Sequence, residues 1–224
     1  MSPPSLKIIY NKLFKAFGPQ YWWPAKNAFE VIIGAVLTQN TNWSNVEKAL
    51  SNLKGEIKLT PKALYALDKT HLANLIRSSG YYNQKAERLH SFCCALKKDY
   101  KFNLNSMLSS DIHFLRKKLL SIKGIGPETA DSIILYAANK PIFVVDAYTF
   151  RMCGRLGFDI PRDYEKVQVL FHKKLPNDSK LFNEFHALIV RLAKNYCKKK
   201  PVCYGCPIRI NCKYYIERPE KIKI

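Results

Sequence analysis

The chain is expected to be all-α, for three reasons. Apolar residues recur at three- and four-residue spacing along most of its 224 residues. Glycine and proline turn signals cut that pattern into helix-length pieces. There is no pair of alternating segments joined by a tight hairpin, and the single β-like run, Pro141 to Val145, is short. About ten helices are expected, followed by a compact cysteine loop.

The elements follow in order. Phe29 to Leu37 is apolar at nearly every position, and the pattern continues past Gln39 into Val46 and Leu50. Leu64 to Ile76, Lys85 to Leu96 and Ile112 to Leu120 each carry an apolar stripe. Thr129 to Ala138, Ala147 to Leu156, Tyr164 to Leu175 and Asn183 to Tyr196 complete the series. Between them stand Gly18-Pro19, Thr60-Pro61, Gly80, Gly124-Ile125-Gly126-Pro127, Pro161 and Pro176. No tandem repeat or low-complexity segment interrupts the series.

Composition narrows the class. A hydrophobic content of 47% over this length supports one large domain or two small ones with real cores. No run of apolar residues is long enough to cross a membrane. Met1 to Lys15 is basic and has no long apolar run, so no signal peptide is expected. Net charge is +20, and a surplus of that size opposes compactness unless a polyanion compensates it. Nucleic acid is the usual polyanion; a merely basic soluble surface is the alternative. The basic residues are spread along the chain, and the densest run is Lys198, Lys199 and Lys200.

That run lies inside a cysteine cluster. Cys197, Cys203, Cys206 and Cys212 are separated by five, two and five residues. Four sulfurs so close in sequence can converge on one soft centre, either an iron–sulfur cluster or a structural zinc. Disulfides are the competing use. The chain has seven cysteines, an odd count, and Cys93, Cys94 and Cys153 sit in apolar helical contexts. With no signal peptide expected, a reducing compartment and a metal centre fit better. The spacing favours iron–sulfur over zinc.

The second strong signal is Leu120-Ser-Ile-Lys-Gly-Ile-Gly-Pro-Glu-Thr-Ala-Asp131. One helix ends near Leu120, and Pro127 opens the next at a position where its missing N–H is harmless. Ile125 can anchor the turn while backbone N–H groups around Gly124 and Gly126 face outward, toward a phosphate. An ordinary helix–helix turn has the same outline. Beyond it, Asp146 follows an apolar run and opens a helix. Asp is a favoured helix N-cap, and an Asp at the edge of a DNA cleft can also do chemistry.

Together with Leu37-Thr-Gln39-Asn40-Thr41 and Gly80-Tyr-Tyr-Asn-Gln-Lys-Ala86, these segments resemble the helix–hairpin–helix DNA glycosylases, in their endonuclease III branch. The resemblance covers nearly the whole chain. It implies an endonuclease III-like all-α fold, with a six-helix barrel from residues 20–140. A second domain, from residues 1–19 and 141–224, would carry the cluster. It further implies that Lys123, Gly124, Ile125 and Gly126 grip a phosphate and that Asp146 is catalytic. Gln39 would fill the space left by a flipped base, and Cys197, Cys203, Cys206 and Cys212 would hold a [4Fe-4S] cluster. The implied partner is double-stranded DNA carrying a damaged base. The implied protein is a cytoplasmic monomer, nucleoid-associated in a prokaryote.

Two departures from that branch matter. Its bifunctional members carry a Schiff-base lysine just after the hairpin glycines, and here that place holds Glu128. A carboxylate cannot form the imine, so a monofunctional glycosylase is expected. Glu128 could instead assist water, pair with Lys123, or favour the first turn of its helix. The first cysteine gap is five residues, where the branch usually has six.

Trp22-Trp23-Pro24 and Trp43 are similar to the pocket segments of the bacterial 3-methyladenine DNA glycosylases of this superfamily. That likeness implies a base pocket of Trp22, Trp23, Pro24 and Trp43 for a cationic alkylated purine, which indole faces attract. The tryptophans could equally pack in the core or touch DNA. Two other functions stay open: release of uracil, mismatched thymine or hypoxanthine from the same scaffold, and DNA binding without catalysis.

Overall fold

The computed structural model describes residues 2–218. Those residues form helices and connecting loops, with no strand among them. They divide into two compact units: Trp23–Lys140, and a unit built from both ends of the chain, up to Trp22 and from Pro141 onward.

The Trp23–Lys140 unit holds α2 (Ala28–Leu37), α3 (Trp43–Glu56), α4 (Pro61–Ala66), α5 (Lys69–Leu75), α6 (Tyr82–Tyr100), α7 (Leu104–Ser109), α8 (Ile112–Leu120) and α9 (Pro127–Ser132). The centre of the unit is α2, buried from Phe29 to Leu37 without a break. That explains its lack of a polar face: a helix apolar all round belongs inside. The helical pattern read as continuous past Gln39 is interrupted at residues 38–42. Asn40 takes a left-handed φ of 55°, and the Asn42 side chain caps α3 by accepting from Asn45 N. The stretch from Leu64 to Ile76 is likewise two helices, because the Asp68 carboxylate accepts from Thr70 N and His71 N and so starts α5 afresh.

The second unit holds α1 (Leu6–Phe17), α10 (Ala147–Leu156), α11 (Tyr164–Lys174), α12 (Ser179–Asn195) and α13 (Lys213–Ile216). Helix α1 lay outside the sequence-based series. It buries Leu6, Ile9 and Leu13 at helical spacing, and Tyr10 meets Phe185 of α12 edge to face at 5.4 Å. The core is aromatic: Phe143 stacks on Phe171 at 3.7 Å and meets Phe182 edge to face at 5.6 Å.

Phe143 belongs to the run that reads as β-like. Ile142 to Val145 are buried, and their backbone has no neighbouring strand to pair with. Side chains of α11 supply the partners, as buried backbone polar groups require. Gln168 Nε2 donates to Phe143 O at 2.7 Å, Phe143 N donates to His172 Nε2 at 3.2 Å, and Val145 N donates to Tyr164 O–H at 3.4 Å. Tyr164, Gln168 and His172 follow at intervals of four on one face of α11. The run is thereby fixed, and with it the position of Asp146 at its end.

Candidate active site and cysteine centre

The hairpin joins α8 to α9. Ile122 and Ile125 are 5% and 4% exposed and pin the turn from inside, while Lys123, Gly124 and Gly126 lie at the surface. Gly124 needs to be glycine: its φ is 87°, and a Cβ there would collide with the Arg88 side chain. Gly126 is the residue before α9, and Pro127 is its first position, as expected for this turn. Lys123 Nζ donates to Glu87 Oε1 at 3.1 Å across the exposed face. Glu128 lies in the exposed first turn of α9, where a carboxylate suits the helix dipole.

The flanking helices are tied beneath the turn. Arg116 of α8 donates Nε to Asp131 Oδ1 at 2.7 Å and Nη2 to Asp131 Oδ2 at 3.2 Å. Asp131 is fully buried, so this two-point pair fixes the angle of the hairpin. After Ser132 the helix widens into a π-type turn over Ile133–Ala137, with Ala138 N donating to Ile133 O at 3.1 Å. Such turns re-aim side chains and gather at functional sites.

Gln39 lies beside the hairpin. Its Nε2 donates to Thr129 Oγ1 at 2.8 Å, and its Oε1 accepts from Arg88 Nη1. The two partners together decide which way the amide points.

Trp23 and Trp43 meet edge to face, with centroids 5.2 Å apart and planes at 85°. Tyr136, on the π-type turn, lies 5.1 Å from Trp23 at 49°. Gly34 of α2 forms the floor: an added Cβ would stand 3.1 Å from Trp23 Cζ2. A ring cannot enter between two indoles already in edge contact, so the pair makes a corner and not a sandwich. Trp43 Nε1 donates to Glu47 Oε1 at 2.9 Å, which fixes that wall. Pro24 is exposed beside Trp23, and Trp22 belongs to the other unit. Tyr136 had no signal of its own in sequence, where it reads as one more apolar position of a helix.

Asp146 caps α10. Its Oδ1 accepts from Thr149 N at 2.7 Å and from Thr149 Oγ1 at 2.9 Å. Its Oδ2 lies 3.7 Å from His186 Nε2 on α12, an ion-pair distance longer than a direct hydrogen bond. Burial works against charge on this carboxyl. The His186 imidazole and the two Thr149 donors outweigh it, and the pKa is held below the ordinary carboxylate value. Asp146 is therefore an anion near neutral pH. The helix-capping and catalytic readings are compatible: Oδ1 serves the helix, and Oδ2 faces the imidazole.

The four C-terminal cysteines surround one cavity, with Met152, Leu156 and Ile208 among its apolar walls. Burial pushes the Cys206 thiol up to about 11, and the neighbouring sulfurs push the same way. Two arginines one turn apart on α10 hold the loop: Arg151 Nε donates to Cys197 O at 2.6 Å, and Arg155 Nη1 donates to Cys197 Sγ at 3.2 Å. Such a donor favours sulfur that carries negative charge. Among the described residues, no three His, Cys, Asp or Glu side chains close on a single metal ion. Cys93 and Cys153 are buried elsewhere, each pushed up to about 12, and have the character of packing residues.

Comparison with known proteins agrees with this reading of the scaffold. MJ1434 of Methanocaldococcus jannaschii, provisionally named a DNA repair glycosylase, is 45% identical over 207 residues, 91% of this chain and 94% of that protein. The H. pylori 3-methyladenine DNA glycosylase MagIII, solved with 1,N6-ethenoadenine, superposes with a TM-score of 0.73 at 34% identity. The match covers 84% of this chain and 94% of MagIII. A trapped endonuclease III–DNA covalent intermediate superposes with a TM-score of 0.82 at 25% identity, over 96% of this chain and 97% of that one. The fold is thus endonuclease III-like. Residues 33–177 match the HhH-GPD superfamily of base excision DNA repair proteins, hairpin and Asp146 included, and the chain belongs to that superfamily as a DNA glycosylase.

Proposed function

We propose that this glycosylase is monofunctional and releases alkylated purines, 3-methyladenine among them, from double-stranded DNA. The observation that carries the substrate class is the aromatic corner of Trp23, Trp43 and Tyr136. Its walls present aromatic π-faces. A purine methylated at N3 is cationic and electron-poor, and an indole face attracts it by about 2 kcal/mol in a desolvated site. The likeness to MagIII at 34% identity points the same way. Uracil, mismatched thymine and hypoxanthine are neutral and would gain less from such walls.

The mechanism follows from the residues. The hairpin, with Lys123, Gly124, Ile125 and Gly126, grips the backbone without reading sequence. The damaged nucleotide leaves the stack, and Gln39 enters the space it vacates. As the N-glycosidic bond lengthens, positive charge develops on the deoxyribose. Asp146, already ionised, stabilises that charge and orients or deprotonates the attacking water. A cationic base departs without protonation, so the corner needs no general acid. The products are free base and an abasic site. Glu128 stands where an imine-forming lysine would, so the strand stays intact.

Cys197, Cys203, Cys206 and Cys212 are the residues to hold a [4Fe-4S] cluster, which when bound would order the basic loop of Lys198, Lys199, Lys200 and Arg209. Arg155 would then donate to the Cys197 thiolate, and the loop lysines would lie on phosphates. Release of labelled bases from methylated, uracil-containing and oxidised duplexes in parallel tests the reading. Methylated purine alone should be released efficiently.

A further inference from the structure

The Gly80–Ala86 segment has no part in the chemistry above, yet the two cations that follow its turn both reach the segment carrying Gln39. Lys85 and Arg88 stand three residues apart on α6, on one face of the helix. Lys85 is 1% exposed, and its Nζ donates to Leu37 O at 2.8 Å and Ser79 O at 2.6 Å. Leu37 is the last residue of α2, so Lys85 fixes the point at which the helix stops and the Gln39 turn begins. Burial, with Arg88 nearby, pulls the Lys85 pKa down to about 8; a neutral amine still carries two N–H groups for two carbonyls.

Arg88 does two things at once. Its guanidinium donates to Gln39 Oε1, and its aliphatic stem lies over Gly124 of the hairpin. The other holder of Gln39, Thr129, stands in the first turn after the hairpin. We propose that Arg88 is a positioning residue, which sets the amide of Gln39 at a fixed offset from the phosphate-gripping turn. The proposal rests on the reading of Gln39 as the residue that fills the vacated space. Its physical basis is preorganisation. A glutamine side chain has three rotatable bonds to order before it can enter the duplex, and Arg88 with Thr129 orders them beforehand. A phosphate held by the hairpin then brings the gap and Gln39 into register together.

The head and the stem of Arg88 can be separated. Arg88→Met keeps an aliphatic stem over Gly124 and removes the guanidinium. The probe is a duplex with a tetrahydrofuran abasic analogue opposite 2-aminopurine, which needs no chemistry and no particular lesion. Fluorescence of the 2-aminopurine reports entry of the side chain, and titration gives affinity relative to an intact duplex. Wild type should prefer the abasic duplex, and R88M should lose about tenfold of that preference while the salt slope on intact duplex is unchanged. In a Gln39→Ala background, R88M should add no further loss, because Arg88 acts through Gln39. Thr129→Val, which removes the other holder and keeps the shape, should reproduce the effect and serves if R88M proves unstable. Equal loss from R88M in both backgrounds, or a salt slope reduced by about one, makes Arg88 a simple phosphate contact and overturns the proposal. A wild type with no preference for the abasic duplex also overturns it. Base release by the same preparation shows separately whether the glycosylase reading survives.

Discussion

His186 places its Nε2 3.7 Å from Asp146 Oδ2, with both side chains largely buried. The imidazole on α12 thus faces the one carboxylate oxygen that the helix cap leaves aside, since Thr149 takes the other. A buried carboxylate needs partners for both oxygens, and the imidazole stands on the second one. The pair makes Asp146 a carboxylate whose charge is held ready, as the proposed stabilisation of an oxocarbenium would require.

The acid limb of catalysis follows from that pair. Asp146 has a folded pKa below its ordinary value of about 3.9, so its charge persists as pH falls and is lost only below that point. Single-turnover base release should carry no acid limb from Asp146 between pH 7 and pH 5. His186→Ala removes the main group opposing burial, so the carboxyl pKa should climb and the limb should move to higher pH. A limb that stays in place in this variant would show that Asp146 does not control it. On the proposed mechanism, in which its charge acts on the transition state, Asp146→Asn should slow release by about a hundredfold or more with duplex affinity nearly unchanged.

The hairpin clamp makes a stability prediction. Arg116→Met leaves the fully buried Asp131 without its two-point partner, and breaking a buried pair in this way costs about 3–5 kcal/mol. Denaturant unfolding should show a loss of that order. Arg116→Met together with Asp131→Leu should recover much of it, since no buried charge is then stranded.

The hairpin and the Asp146 cap were legible in the sequence because both are local. Two glycines and a proline specify the turn, and an Asp before an apolar-periodic run specifies the cap. Helices α8 and α10 lie where the pattern places them, at Ile112–Leu120 and Ala147–Leu156. The breaks at Asn40 and Asp68 were hidden because the apolar period runs on through them, and only side-chain caps reveal them. Helix α1 was hidden by its basic character, although Leu6, Ile9 and Leu13 have helical spacing. Arg88, Tyr136 and His186 had no sequence signal, since each acts on a residue at least 40 positions away.

The cysteine centre is tested by colour and by metal. Protein purified without oxygen should be brown and carry about four irons per chain. Cys206→Ala should lose the metal and destabilise the unit that contains it. Arg155→Leu should keep the iron but shift the reduction potential, because the donor to Cys197 Sγ is gone. One tightly bound zinc with no iron would replace this account with a zinc site.

The aromatic corner predicts a selective defect. Trp43→Ala removes one wall and its anchored N–H, so release of 3-methyladenine should slow by about tenfold or more while affinity for intact duplex is spared. Tyr136→Ala, which removes the ring beside Trp23, should slow release in the same way. An equal loss of intact-duplex affinity in Trp43→Ala would make the indole a DNA contact instead of a pocket wall.

The most direct test of the central claim is a single-turnover assay on duplexes carrying 3-methyladenine, uracil or mismatched thymine, read for both free base and strand nicking, with borohydride present in a parallel reaction. The account predicts rapid release of 3-methyladenine, little release of the pyrimidines, no nicking before alkali and no trapped protein–DNA adduct, consistent with Glu128 on the hairpin. Faster release of uracil or thymine would contradict the substrate class, and efficient trapping would contradict the monofunctional mechanism.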